Sequence, residues 1–327
     1  MNIKRNINTK EICDQIKKGN ITALSKAITL SESNIYSDQE LANKILAKLK
    51  TKNNDSIRIG ITGVPGAGKS TFIESFGNHI TNLGLKLAVL TIDPSSSVTK
   101  GSILGDKTRM ETLSANKNVF IRPSPASNFQ GGVGKNTRES IFLCESAGYD
   151  IILIETVGVG QNEISVAEMV DFFLLLKISG SGDELQGIKR GIIEMSDLIA
   201  INKCDGDNVK DSIKAKNEFK LALQLFPKKK SNWKPQVLTC SSLTGEGLAE
   251  IWECITNYVN LTKKNNYFYE NRINQNKSWL LQIIDYSLRK SFFNRKSIKI
   301  KLNNLIKKIE EQKISIFEAS RKILSEI

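Results

Sequence analysis

"IRIGITGVPGAGKST", residues 57–71, decides the fold. A short β-branched apolar run, Ile57 to Thr62, gives way abruptly to glycines. From Gly63 to Ser70 the chain matches the pattern G-x-x-x-x-G-K-[ST] in full. That pattern requires a strand before it and a helix after it. The residues predict both, a strand over 57–62 and a helix over 69–82. Glycines let backbone N–H groups turn inward around a phosphate, and the following helix adds the positive end of its dipole. The expected cradle is Gly63, Val64, Pro65, Gly66, Ala67, Gly68, Lys69, Ser70 and Thr71. Lys69 would reach the β- and γ-phosphates, and the Ser70 hydroxyl would face Mg²⁺.

Outward from this loop, short apolar runs alternate with amphipathic segments. Strands are predicted at 57–62, 86–92, 118–122, 150–154, 171–178, 197–202 and 236–240. Helices are predicted at 69–82, 137–147, 184–195, 208–226 and 246–259. Nearly continuous apolar strands separated by helices indicate an α/β protein, a mostly parallel sheet with helices on both faces. Ligands on such sheets gather at the carboxyl ends of the strands. Helical patterns also fill the first 50 residues and everything beyond about 260. The expected organisation is a helical arm at 1–54, a P-loop nucleotide-binding domain at 55–260 and a helical extension at 261–327.

Further motifs fall at the same strand ends. "NKCD" (202–205) closes one strand, and "SSLTGEG" (241–247) follows the next. A carboxylate at Asp205 can accept from the ring N–H and the exocyclic amine of guanine, a donor pair that adenine lacks. Asn202 and Lys203 would brace that loop, and Ser241, Ser242 and Leu243 would close over the base. "ETVGVGQNE" (155–163) puts Glu155 at the end of the strand "IILI". Its side chain would reach a magnesium-bound or attacking water, and Gly158 would offer its N–H to the γ-phosphate. Gly160 and Gln161 complete a segment suited to switching. Gln161 is displaced from the usual water-positioning place, which predicts slow unaided hydrolysis. In "TIDPSSSVTKGSILGDKTRM" (91–110), Asp93 and Asp106 are oxygen donors of the kind Mg²⁺ takes; each also suits an ordinary cap or turn.

Composition narrows the class. The 327 residues carry a net charge of +13. Residues 261–327 hold 15 Lys and Arg against 6 Asp and Glu, so the excess rides mainly on amphipathic helices rather than on a nucleic-acid groove. The five cysteines (Cys13, Cys144, Cys204, Cys240, Cys254) are scattered and the only histidine is His79, so a clustered Cys/His metal site is hard to assemble. No apolar run is long enough to span a bilayer, and "MNIKRNINTK" has no secretory core, which predicts a cytoplasmic protein.

Taken together, "GVPGAGKST", "DPSSS…GSILGDKTRM", "IRPSP", "ETVGVGQNE", "GSGDELQGIKRGI" and "NKCD" resemble the MeaB/ArgK family. These are GTPase chaperones of adenosylcobalamin-dependent methylmalonyl-CoA mutase, including the human MMAA type. The similarity covers roughly residues 55–250. It implies a P-loop G domain binding GTP or GDP, a homodimer formed through the C-terminal extension, and a mutase partner, with no nucleic acid or membrane. It also implies a Mg²⁺ and catalytic site of Lys69, Ser70, Asp93, Asp106 and Glu155. Asp183, Gln186 and Lys189, in "SGSGDELQGIKRG" (179–191), would link nucleotide state to the mutase. Two other classes share parts of the pattern. A nickel-enzyme maturation GTPase would want CxxC or a histidine-rich tract. An ATP-dependent kinase of a periplasmic amino-acid-binding protein, of the LAO/AO type, is disfavoured by "NKCD".

Overall fold

The computed structural model describes residues 8–49, 55–93, 110–125, 134–156, 162–180 and 190–325. Seven strands form one sheet: β1 (Ile57–Gly63), β2 (Leu87–Asp93), β3 (Val119–Pro125), β4 (Ile151–Thr156), β5 (Phe172–Ile178), β6 (Leu198–Asn202) and β7 (Gln236–Thr239). Their order is β3-β2-β4-β1-β5-β6-β7, and every neighbouring pair is parallel. This is the α/β P-loop architecture that the sequence predicts. All strand carboxyl ends therefore lie along one edge, where the motifs cluster.

The central strands are buried on both faces, which is why their sequences run apolar without alternation. Residues of alternating parity still separate two cores. Ile59, Ile61, Ile151, Leu153, Phe172 and Leu174 join one. Ile152, Ile154 and Phe173 join the other. The first face is covered by α4 (Lys69–Asn82), through Phe72, Ile73 and Phe76, and by α10 (Leu248–Lys264), through Ile251 and Ile255.

The opposite face is covered by α6 (Gly134–Ala147) and by three N-terminal helices: α1 (Thr9–Lys17), α2 (Ile21–Glu32) and α3 (Tyr36–Lys48). The side chains of Asn8 and Asn20 cap α1 and α2 by accepting from N–H groups of the first turn. Ile16, Leu24, Ile28 and Ile45 are fully buried in the same core as Ile152 and Ile154, so these helices belong to the sheet's hydrophobic layer. Shorter helices α5 (Glu111–Ser114), α7 (Asn162–Ala167) and α8 (Arg190–Met195) and the longer α9 (Val209–Leu223) complete the connections.

The chain divides into two compact units, one ending at Gln275 and one from Asn276 onward. The long helix α11 (Tyr267–Asn294) contains that boundary. The second unit continues with α12 (Lys296–Glu310) and α13 (Ile316–Leu324), where Ile298, Leu305 and Ala319 are buried. No helix among the described residues is long and apolar enough to cross a membrane.

Candidate functional site

The loop after β1 is shaped by its glycines. A Cβ at Gly63 would lie 2.3 Å from the Leu176 carbonyl oxygen on β5, so only glycine lets β1 and β5 approach this closely. Gly68 combines φ +84° with the same constraint: a Cβ there would meet Asn202 Nδ2 at 2.8 Å. Helix α4 then starts at Lys69, with Ser70 half-buried and Thr71 exposed in its first turn. The Lys69 ammonium folds back over the loop and donates to the carbonyl oxygens of Gly63 (2.8 Å) and Val64 (3.2 Å). Burial pushes its pKa below the ordinary lysine value, while Glu155 and Glu163 pull it back up.

Glu155 sits at the carboxyl end of β4, paired in register with Ile61 of the neighbouring β1, and is buried. The placement beside the phosphate loop is the one expected from sequence. Behind it, Thr156 Oγ1 donates to Thr62 Oγ1 at 2.8 Å, a buried bond tying the ends of β4 and β1 together. Glu163, in the first turn of α7, was not singled out from sequence, although it closes the "ETVGVGQNE" stretch. It is 2% exposed and acts electrostatically on Lys69, so a second carboxylate belongs to this corner. An acid just after a glycine-rich segment, opening a helix, is the signal that would have marked it.

The other end of the candidate site is built on Asn202, the last residue of β6 and 1% exposed. Its Nδ2 donates to the Ala67 carbonyl at 2.9 Å, inside the phosphate loop. Its Oδ1 accepts from Ser242 N (3.1 Å) and Ser242 Oγ (2.8 Å). The Cys240 thiol, held protonated by a pKa that burial pushes up to about 12, lies 3.7 Å from the same oxygen. One amide therefore fastens the loop at 63–70 to the loop at 241–247. A second tie runs from Ser75 Oγ on α4 to the Ser242 carbonyl at 2.6 Å.

Lys203 takes the left-handed conformation, φ +59°, and its stem runs beside Gly68. Asp205 is half-buried, and its Oδ2 accepts a hydrogen bond from Ser241 Oγ. That hydroxyl also accepts from Leu243 N (3.3 Å) and Thr244 N (3.2 Å). Ser241 thus turns its own loop and aims the carboxylate. Leu243 is 80% exposed at the loop tip.

The structure accordingly gathers Gly63 to Thr71, Glu155, Asn202, Lys203, Asp205, Ser241, Ser242 and Leu243 at one edge of the sheet. Asp93 ends β2 at the same edge. Asp106, Gly158, Gly160, Gln161, Asp183, Gln186 and Lys189 lie outside the described residues. No group of three or more His, Cys, Asp or Glu that could hold a metal occurs among the described residues. The donors present at this corner, the Ser70 hydroxyl and the Glu155 carboxylate, are hard oxygens. Such a set fits Mg²⁺, which completes its shell with phosphate and water rather than an all-protein cage.

A family model described as methylmalonyl Co-A mutase-associated GTPase MeaB matches residues 24–297. The Escherichia coli protein named GTPase ArgK is 46% identical over 266 residues, covering 81% of this chain and 80% of its own. The mouse methylmalonic aciduria type A homolog, mitochondrial, is 43% identical over 302 residues, covering 89% and 73%. Among solved structures, a crystal structure titled LAO/AO transport system kinase superposes with TM-score 0.75 at 33% identity, covering 98% of both chains.

Proposed function

The chain belongs to the family of methylmalonyl-CoA mutase-associated GTPases, and from that premise we propose that it is a Mg²⁺-dependent GTPase chaperone of an adenosylcobalamin-dependent methylmalonyl-CoA mutase. In this reading it docks on the mutase, gates entry of intact cofactor and opposes retention of damaged cofactor. The observation that carries the nucleotide assignment is the Asn202 bridge, because it sets the phosphate loop and the Asp205 loop at a fixed separation. The Asp205 carboxylate would accept from the guanine ring N–H and amine, an arrangement adenine leaves unpaired.

The reaction is attack of water on the γ-phosphate. Lys69 would swing from the Gly63 and Val64 carbonyls onto the β- and γ-phosphate oxygens, neutralising charge as it develops. Glu155 would orient the attacking water. Ser70, Asp93, Asp106 and Glu155 are the residues that would hold Mg²⁺, which when bound offsets negative charge on the phosphates. Gly158, Gly160 and Gln161 would read the γ-phosphate, and Asp183, Gln186 and Lys189 would pass that state to the mutase. Intrinsic turnover is slow in this scheme, and the mutase accelerates it by ordering these segments.

A homodimer formed through the second unit fits its surface. Leu280, Leu281, Ile284 and Leu288 recur three and four apart on α11 and are 45–67% exposed, and Ile316 and Phe317 are more exposed still. Apolar side chains at that spacing form a stripe that a second copy would cover. The protein needs neither a membrane nor nucleic acid for this role and would work in the cytoplasm.

Calorimetric titration with GDP, GTP and ATP tests the core of the proposal. A guanine preference of about a hundredfold or more is expected, and comparable ATP affinity would instead support a kinase. Separately, hydrolysis measured with and without the purified mutase tests the partner: an unchanged rate would remove it.

A further inference from the structure

All seven strands start at the sheet edge opposite the nucleotide site, and a second cavity opens there. It occupies about 700 Å³ between the end of α9 and the start of β7. The connecting segment runs "KLALQLFPKKKSNWKP", residues 220–235, with five lysines and no acid. It has little regular structure, yet it is fastened at three points. Lys229 Nζ donates to the carbonyls of Met195 (2.7 Å) and Ser196 (2.8 Å) and to Asp197 Oδ1 (2.7 Å). The Trp233 indole N–H donates to the Asp197 carbonyl at 2.9 Å. From the other side, Asn265 Nδ2 donates to the Ser231 carbonyl at 2.9 Å. The cavity is therefore pre-formed, and ordering it costs a ligand little.

Its lining combines two kinds of surface. Phe226, Trp233, Pro227 and Pro235 supply apolar wall, while Lys220, Lys228 and Lys234 stand at it with exposed side chains. These three ammonium groups make no ion pair among the described residues, whereas Lys229 spends all three of its donors on the backbone and Asp197. Among the described residues, Glu194 is the only acid on the lining. Three cationic side chains on one lining favour an anion there. The volume suits a small molecule, for which an apolar wall with a few convergent charged groups is the usual construction. Separate lysine point charges suit several phosphate groups rather than one planar carboxylate, which pairs best with an arginine fork.

We propose that this cavity is a second anion site, distinct from the nucleotide site, and that it takes a small organic molecule bearing two or more phosphate groups. Lys220, Lys228 and Lys234 hold the phosphates, and the apolar body rests against Phe226 and the flanking prolines. The test is calorimetry on the full chain saturated with Mg²⁺–GDP, so that the phosphate loop is filled, using ADP, sodium tripolyphosphate and citrate as probes. ADP is expected to bind saturably below about 1 mM, tripolyphosphate more weakly for want of an apolar body, and citrate least. The triple variant K220A/K228A/K234A should weaken ADP binding by about tenfold or more, with GDP affinity and melting temperature unchanged. Equal ADP affinity in the triple variant, citrate binding as tightly as ADP, or no saturable binding of either phosphate probe would each overturn the proposal.

Discussion

Replacing Asn202 by alanine tests whether one side chain joins the two halves of the nucleotide site. The native amide serves the Ala67 carbonyl, the Ser242 N–H and the Ser242 hydroxyl, and all three residues are buried. Alanine removes every one of these partners and introduces none. A buried polar group left unpaired costs about 1–3 kcal/mol. Three such groups at the low end, partly relieved by water entering from the open edge, give a loss of about 3 kcal/mol. That is a large share of a typical total of roughly 5–15 kcal/mol. With a urea dependence of about 2–3 kcal/mol per molar, the unfolding midpoint should fall by roughly 1 M, followed by circular dichroism. GDP affinity, measured by calorimetry, should fall by about tenfold to a hundredfold, because the phosphate and base loops no longer hold their separation. Ser242→Ala deletes only one of the bonds and should cost about 1 kcal/mol. The double variant should cost little more than Asn202→Ala alone, since the two share one network. A midpoint for Asn202→Ala within about 0.2 M of the parent, with GDP affinity unaltered, would refute the reasoning.

Three further outcomes follow from named contacts. Arg272→Met leaves Asp171, whose side chain is 2% exposed, without the two bonds at 2.8 and 2.6 Å that balance its charge. Stability to urea should drop by about 3–5 kcal/mol, and the double variant with Asp171→Asn should recover part of the loss. Ser241→Ala removes the donor that aims Asp205 and the acceptor that turns residues 243–244. Guanine nucleotide affinity should fall by about tenfold, worth about 1.4 kcal/mol, with unchanged affinity in titration counting against the aiming role. Leu281→Glu with Leu288→Glu places charge on the exposed stripe of α11. If the proposed homodimer forms through this stripe, sedimentation should report a dimer for the parent and a monomer for the variant, with helix content retained.

All seven strands were legible from sequence because a parallel sheet covered on both faces needs uninterrupted apolar runs, and "IILI", "FFLLLKI" and "LIAIN" are such runs. The sequence marked 63–70, 202–205 and 241–247 as loops at strand ends, and the structure ties them together at one edge of the sheet. The packing of α1 to α3 was not. An amphipathic pattern shows that a helix buries one face but not what it buries it against, and here the cover is the core beneath β2 and β4. The bridge by Asn202 was legible only as a bracing role. Its partners, Ala67 and Ser242, are 135 and 40 residues away in sequence, and no local signal names them. Glu163 carried a local signal, an acid opening a helix after a glycine-rich segment, but its burial and its electrostatic pull on Lys69 come only with the fold.

The strand that carries the phosphate loop is held along its whole length, and this bears on how the protein can tell GTP from GDP. At the amino end of β1, the Arg58 guanidinium grips Glu145 at 2.8 and 3.0 Å, and the Arg58 backbone N–H donates to Asp171 at 2.8 Å. In its middle, a Cβ on Gly60 would lie 2.8 Å from the Phe173 ring. At its far end come the Thr62–Thr156 bond and the close approach of Gly63 to Leu176. Sliding β1 would break buried charge pairs and collide with β5, so the cradle keeps one shape. The Asn202 bridge extends that rigidity to the base loop. A rigid cradle grips the groups GTP and GDP have in common with equal strength, and equal affinity for two states shifts no equilibrium between them. Discrimination must come from groups that meet the third phosphate. Under the proposed function, the described residues that would meet it are Lys69, whose ammonium rests on two carbonyl oxygens, and Glu155 at the end of the adjacent strand. Strengthening the clamp would therefore tighten both nucleotides by the same factor, and only changes at the Lys69–Glu155 corner or in the residues that follow it can alter their ratio.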